Sequence, residues 1–175
     1  MEEIEFKMEH SKDDYTKALY ERAKTNPLFR AYPYIMIAVA VASVVYQNIT
    51  PTIRESLGVV AGLALLALIA PGFYFEGKSR RSFKAYRLLH DIQDFWINSE
   101  GIGYKSPLLE ANFSWELVEQ IRETPDFIFL WISHSPLTIY KHKVSQNELQ
   151  TIHRILLDAP VRNKKMIVEK EAAGN

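Results

Sequence analysis

Two stretches without a charged residue constrain this chain more than any other feature. The first covers residues 31–53 and the second covers residues 56–75. A helix that crosses the hydrocarbon core of a bilayer needs about 20 predominantly apolar residues. Both stretches reach this length, and neither carries the charged face of a helix on the surface of a soluble domain. The pattern predicts a transmembrane helical hairpin over residues 31–77, with spans at about 32–49 and 56–75.

The composition of the two spans favours insertion as a pair. Leu, Ile, Phe and Val each favour insertion by roughly 0.3–0.6 kcal/mol near the centre of a helix. On this scale the second span gains roughly 3–6 kcal/mol, whereas the first gains roughly 2–4 kcal/mol. The first span also ends in the polar residues Gln47 and Asn48. We therefore expect it to insert together with its partner, and we expect Pro71 and Gly72 to kink or end the second helix.

Basic residues flank the pair on both outer sides, whereas the connector carries one base, Arg54. The bases before the first span are Lys12, Lys17, Arg22, Lys24 and Arg30. The bases after the second span are Lys78, Arg80, Arg81, Lys84 and Arg87. Because basic loops stay in the cytoplasm, this pattern predicts that both termini are cytoplasmic. The second cluster is also predicted to contact lipid headgroups, since each base near an anionic surface gains about 1 kcal/mol. The alternative is that it acts only as the topology signal.

Small residues recur at a spacing of four in both spans. Gly58 and Gly62 lie in the second span, and Ala38 and Ala42 lie in the first. Small residues at this spacing let helix backbones approach closely in lipid. We expect these four residues to pack the hairpin together, and a homodimer contact is the alternative.

The polar parts of the chain predict an α+β fold. Residues 1–30 read as a strand, in which apolar residues alternate with charges, followed by a helix that a serine caps. Residues 78–160 read as antiparallel hairpins closed by a C-terminal helix, which starts at a capping box of Ser145 and Glu148. The N-terminal strand needs a sheet to join, and the candidate sheet follows the second span. Residues 161–175 are predicted to form a flexible tail.

This order of elements is similar to that of the YcxB-like family of bacterial membrane proteins. The matching segments are "IEFKMEHSKDDY", the apolar hairpin, "INSEGI", "FSWELVEQIRETPDFIFLWIS" and "LTIYKHKVSQNELQTIHRILL". The resemblance implies two membrane spans, a pleckstrin-homology-like C-terminal domain and a multi-pass location in the bacterial inner membrane. It implies no catalytic residues. The chain departs from the family at Tyr140, where the family often has a proline.

The residues give no sign of catalytic, cofactor or metal chemistry. There is no cysteine, and the five histidines are scattered without metal-binding spacing. The formal net charge is zero, which argues against nucleic-acid binding. Tryptophans 96, 115 and 131 are predicted to pack in the core rather than to stack on a ligand. We expect no enzyme activity, no cofactor and no metal.

These observations suggest a non-enzymatic membrane protein that binds a protein partner or lipid at the cytoplasmic face. One version is an immunity protein that neutralises a membrane-active toxin, because the hairpin could pack against another membrane segment. The alternative is a membrane-anchored sensor or regulatory subunit of a membrane complex, in which a sheet edge accepts a partner strand.

Overall fold

The structure, a computed structural model, describes residues 3–49, 54–85, 92–133 and 135–167, with residues 47–49 and 54–58 described by their backbone alone. The helices are α1 (Lys12–Lys24), α2 (Pro27–Ile49), α3 (Arg54–Ala85) and α4 (Gln146–Asp158). The strands are β1 (Glu3–Met8), β2 (Gln93–Asn98), β3 (Gly101–Lys105), β4 (Glu110–Ser114), β5 (Val118–Glu123), β6 (Phe127–Ile132), β7 (Ser135–Tyr140) and β8 (Asn163–Lys165). The predicted α+β class is confirmed.

The chain divides into two compact units. The helical unit is Tyr15–Lys84, and the sheet unit combines the residues before Tyr15 with those after Lys84. The helical unit contains the two long apolar helices that the sequence predicts, each long and apolar enough to cross a membrane. Helix α1 begins in the sheet unit, where the Asp14 N–H donates to Ser11 Oγ at 3.0 Å, which is the predicted cap.

Both long helices extend further than predicted. Helix α2 starts at Pro27, because proline is well suited to the first turn of a helix, where its missing N–H has no partner to lose. Helix α3 does not end at Pro71 but continues to Ala85. The first basic residues after the predicted span therefore belong to the helix itself. This extension places them along one continuous helical surface.

The first sheet has the strand order β1-β2-β3-β4, and its neighbouring strands are antiparallel. Strand β1 pairs with β2 although the whole helical unit separates them in sequence. Its alternating pattern explains this, because Phe6 and Met8 are buried while the charged residues of the strand, Glu3, Glu5 and Lys7, remain exposed. Phe6 stacks on Phe95 of β2 with 5.5 Å between ring centroids. The predicted pairing of the N-terminal strand with the later sheet is thus confirmed.

The second sheet has the order β7-β6-β5-β8, in which β8 is parallel to β5. A short 3₁₀ turn at Trp115–Leu117 separates β4 from β5 and buries Trp115, whose Nε1 donates to the Asn98 carbonyl at 3.0 Å. Residues 161–167 depart from the predicted flexible tail. They include β8, and they stay ordered because β8 pairs with β5 and Met166 is buried. Residues 168–175 lie outside the described part of the chain.

Helix α4 closes the core of the sheet unit. Its capping box is as predicted, since the Glu148 N–H donates to Ser145 Oγ and the Ser145 N–H donates to Glu148 Oε2 at 2.7 Å. Ile152, Ile155 and Leu156 are buried on its inner face. The helix contacts β1 and β2. The core therefore lies between α4 and the inner faces of the strands.

Candidate functional site

The basic residues predicted to meet lipid form the exposed last turns of α3. The described members of this set are Lys78, Arg80, Arg81 and Lys84, and all four side chains are exposed. Arg87 lies outside the described residues. We call the four described residues the basic end of α3. Their exposure leaves them free to meet an anionic surface.

The basic end is not electrically uniform. Arg80 is held by Glu76 one turn earlier, with Arg80 Nη2 at 3.0 Å from Glu76 Oε1. Lys78 Nζ instead lies 5.9 Å from the centre of the Tyr74 ring, within cation–π range. Among the described residues, no carboxylate forms an ion pair with Lys78 or with Arg81. One side of α3 is therefore self-neutralised, whereas the other keeps its positive charge.

Two open grooves follow these two sides, and both contain Phe73 and Gly77. The cationic groove has a volume of about 390 Å³ and is lined by Phe73, Tyr74, Gly77, Lys78, Arg81 and Ser82. The paired groove has a volume of about 640 Å³ and is lined by Ile69, Gly72, Phe73, Glu76, Gly77 and Arg80. A Cβ built on Gly77 meets no atom within 4 Å, so the backbone there is open to a ligand. The grooves differ chiefly in charge.

Aromatic residues join the three helices of the helical unit near the basic end. The rings of Tyr20, Phe29 and Phe75 meet edge to face, with centroids 5.7–5.9 Å apart. The Tyr32 hydroxyl donates to the Ala67 carbonyl at 2.7 Å. Such contacts hold α1, α2 and α3 together at this end of the helical unit.

The small residues of the two spans divide into an exposed set and a buried set. Ala38, Ala42 and Gly62 are exposed, and a Cβ built on Gly62 meets nothing within 4 Å. The burial of Gly58 lies outside what the structure describes. Among the small residues of the spans whose burial the structure describes, Ala40, Ser43, Ala61 and Ala64 are buried. On α2, Ala40 and Ser43 lie on the same face as Tyr32, and on α3, Ala61 and Ala64 lie on the same face as Phe75, because these positions are separated by steps of three and four residues. Tyr32 and Phe75 join the helices, so the hairpin seam lies on these faces.

A buried carboxylate organises the sheet unit. The Glu123 side chain is 1% exposed and lies at the end of β5. Its Oε1 lies 2.6 Å from Lys141 Nζ and 3.0 Å from His153 Nε2, and its Oε2 accepts the Ile167 N–H at 2.9 Å. These partners come from the residue after β7, from α4 and from the segment after β8. Glu123 thus ties together four parts of the chain.

Hydrogen bonding keeps this carboxylate ionised. Burial raises the pKa of Glu123, but hydrogen bonds from His153, Lys141 and the Ile167 N–H outweigh burial and lower the pKa to about 2. An ionised carboxylate that is fully engaged by protein donors is a poor nucleophile or general base. The arrangement therefore stabilises the fold of the sheet unit.

A second polar cluster lies where β1 leads into α1. The Asp14 carboxylate accepts from Ser11 Oγ at 2.6 Å and pairs with Lys143 at 3.0 Å and with His142 at 3.3 Å. Burial raises the pKa of Asp14, but the hydrogen bonds from Ser11 and Lys143 lower it overall. Residues 141–143 therefore connect both carboxylates, because Lys141 binds Glu123 while the next two residues bind Asp14.

His10 is half-buried in the same region. Its Nδ1 lies 3.0 Å from the Tyr140 hydroxyl and its Nε2 lies 3.3 Å from Gln93 Oε1. A neutral ring that carries its proton on Nε2 satisfies both contacts. Burial lowers the pKa of His10, and the nearby charge of Lys143 lowers it further. His10 is thus held in the neutral form.

The described residues contain no group of three or more His, Asp or Glu placed to hold a metal ion. His90 and His134 lie outside the described residues. Sequence reasoning missed the roles of Glu123, Lys141 and His153, which are far apart along the chain. The sequence did contain one sign that Glu123 is buried. Glu123 stands two residues after buried Ile121, and residues two apart in a strand lie on the same face of the sheet.

The comparisons with known proteins add no relative. No family model matches the sequence. No curated protein and no solved structure is significantly similar to the chain. The resemblance to YcxB-like proteins therefore stays a prediction.

Proposed function

We propose that this chain is a two-span membrane protein of the bacterial inner membrane that acts without catalysis, by binding lipid or a protein partner at the cytoplasmic face. The observation that carries the proposal is the exposure of the apolar side chains of α2 and α3. Val41, Leu63 and Leu66 are 56–61% exposed. In each apolar helix, only 11% of the most apolar 18-residue segment is buried within the chain.

This exposure distinguishes a membrane-spanning helix from the apolar core helix of a soluble domain. The core helix of a soluble domain is apolar because the surrounding protein buries it. Here the surrounding chain leaves most of both helices uncovered, and a soluble monomer rarely exposes an apolar surface of this extent. A hydrocarbon environment would cover it, and the internally hydrogen-bonded backbone of a helix suits that environment.

The charges support the orientation. The basic end of α3 follows the second apolar segment, and further bases precede the first, whereas Arg54 is the one base in the connector. This distribution favours a cytoplasmic location for the sheet unit. With β1 supplied from before the helical unit, the two sheets and the closing helix α4 support the proposed pleckstrin-homology-like fold. Such a domain would bind its partner on the cytoplasmic side.

Cysteine labelling tests the topology, because the chain has no native cysteine. Thr52→Cys places a thiol in the connector, and Ser99→Cys places one in the exposed turn between β2 and β3. A membrane-impermeant maleimide should label the Thr52→Cys variant in spheroplasts and the Ser99→Cys variant only after the membrane is opened. Labelling of both thiols in spheroplasts, or recovery of the native chain in the soluble fraction, would contradict the proposal.

A second candidate is a partner that binds within the membrane, as an immunity protein or a regulatory subunit would. The outward position of Ala38, Ala42 and Gly62 favours it, because small exposed residues let another helix approach closely. Co-expression with a candidate toxin should give rescue and co-purification in detergent. Ala38→Leu should abolish both effects if the contact is direct. Rescue that persists in the Ala38→Leu variant would place the contact elsewhere.

A further inference from the structure

The cationic groove on α3 combines two chemical characters in a fixed order along the helix. At its N-terminal end Phe73 is 74% exposed and Tyr74 is 61% exposed. Lys78 and Arg81 follow one and two turns later, beside the hydroxyl of Ser82. An apolar wall therefore precedes a pair of cations by a few ångströms of helix rise. This order matches an amphiphile that carries an anion at one end.

The cationic groove differs from the paired groove in its charge. The paired groove contains Glu76, which lies 3.0 Å from Arg80 and neutralises it. The cationic groove contains no carboxylate in its lining, and no described carboxylate pairs with Lys78 or Arg81. An anionic group is thus complemented in the cationic groove and opposed by Glu76 in the other.

Gly77 gives the groove its depth. A Cβ at this position would meet no atom within 4 Å, so the space beside the backbone is open. An alkyl chain could lie against the helix there, with the rings of Phe73 and Tyr74 on either side. The direction is also suitable, because the apolar end of the groove points along α3 toward the segment proposed to lie in the membrane.

We propose that the cationic groove binds one anionic phospholipid. Lys78 and Arg81 would hold the phosphate, Ser82 would donate a hydrogen bond to it, and an acyl chain would lie along Gly77. This proposal rests on the proposed membrane insertion, because the acyl chain can reach the groove only if α3 enters the bilayer. It goes beyond general attraction between bases and an anionic surface, since it assigns different roles to adjacent arginines.

Native mass spectrometry of the full chain tests the site. The detergent-solubilised protein is mixed with equal amounts of phosphatidylglycerol and phosphatidylcholine, and the retained lipid is counted. The native chain should retain one phosphatidylglycerol in preference. In the Lys78→Gln/Arg81→Gln variant, the ratio of retained phosphatidylglycerol to phosphatidylcholine should fall roughly thirtyfold, because each of the two lost bases contributes about 1 kcal/mol. Gly77→Leu should lose lipid retention without any change in charge.

Arg80→Gln is the matched control, because it removes the same charge from the same helical turn but lies in the paired groove. It should leave the preference unchanged. An equal loss in the Arg80→Gln and Arg81→Gln variants, or normal retention in Gly77→Leu, would overturn the site. Carbonate extraction of the native chain from membranes separates the two proposals. An extractable chain contradicts membrane insertion, whereas an inserted chain that shows no lipid preference contradicts the groove alone.

Discussion

The ammonium group of Lys141 lies 2.6 Å from the carboxylate of Glu123 and connects two strands that are not neighbours. Glu123 ends β5 and Lys141 follows β7, while β6 lies between these strands in the sheet. The Glu123 side chain is 1% exposed and that of Lys141 is 17% exposed. Their attraction therefore acts in a poorly solvated setting, which makes loss of either partner costly.

We expect Glu123→Gln to lower the free energy of unfolding of the sheet unit by about 3–5 kcal/mol, because Lys141 would keep a buried charge without its counter-ion. The control is Glu110→Gln, which removes a carboxylate 3.0 Å from Lys105 where both side chains are about 60% exposed. That change should cost less than about 1 kcal/mol. Denaturant titration of the detergent-solubilised chain measures both. Equal losses in the two variants would show that burial of the pair contributes nothing.

The same carboxylate predicts a dependence of stability on acid pH. The folded pKa of Glu123 is about 2, below the ordinary value of 4.5, so the unfolded chain takes up the proton first as the pH falls. The stabilisation is complete above pH 4.5 and is lost as the pH falls toward 2, by about 3 kcal/mol in total. Glu123→Gln should remove this part of the pH profile. An unchanged profile in the variant would assign the acid sensitivity to other groups.

His10 predicts a second dependence at higher pH. Its folded pKa lies below the ordinary value of 6.5, so the unfolded chain binds the proton more readily. Stability from the neutral ring is present above pH 6.5 and declines as the pH falls below it. Melting temperatures of the native chain should therefore fall from about pH 8 to about pH 5, and His10→Gln should reduce that slope. A steeper slope in the variant would contradict the neutral assignment.

The sequence predicted the features that depend on local patterns. The uncharged stretches predicted the two long helices, and the alternation of Phe6 and Met8 with charged residues predicted β1 and its place in the sheet. The capping box of Ser145 and Glu148 predicted the start of α4. Each of these follows from residues a few positions apart, for which helix and strand periodicity or hydrogen bonding to the next turn is decisive.

Other features depend on tertiary contacts. The small-residue spacing does not determine which face of a helix is buried, because the rotation of each helix is set by contacts such as Tyr32 with Ala67. Strand β8 is polar and short, so only its pairing with β5 reveals it. The burial of Glu123 depends on Lys141 and His153, which lie 18 and 30 residues away. No local pattern encodes such distances.

The hairpin seam can be tested with two matched alanines. Ala40 is 8% exposed, whereas Ala38, half a turn away on the same helix, is exposed. Ala40→Leu should overpack the seam and cost about 1–3 kcal/mol of hairpin stability, while Ala38→Leu should cost almost nothing in the monomer. Titration with a denaturing detergent measures both. The reverse order would place Ala38 rather than Ala40 in the seam, and dissociation of a dimer in the Ala38→Leu variant would assign the face of Ala38 to self-association.

Alanine substitutions at the two glycines of β3 should differ in their cost, because the added Cβ would meet backbone at one position and a side chain at the other. A Cβ on Gly101 would lie 2.0 Å from the Phe113 carbonyl oxygen, and a Cβ on Gly103 would lie 2.2 Å from the ring of Trp96. The carbonyl belongs to the backbone of the neighbouring strand β4, so Gly101→Ala must separate two strands. The Trp96 side chain is only partly buried and can rotate away. Gly101→Ala should therefore lower the melting temperature more than Gly103→Ala.

Removing the blocking ring separates the two cases. In a Trp96→Leu background the Gly103→Ala change should lose most of its cost, because the clashing ring atoms are gone, whereas the Gly101→Ala change should keep its full cost. The comparison is a double-mutant cycle, in which only residues in contact give a coupling energy. Coupling of Trp96 to Gly101 rather than to Gly103 would mean that β2 and β3 pair in a different register from Trp96 opposite Gly103. Such a register would be shifted by two residues, so the side chains of β3 would keep their faces, but every cross-strand pair of β2 and β3 would change.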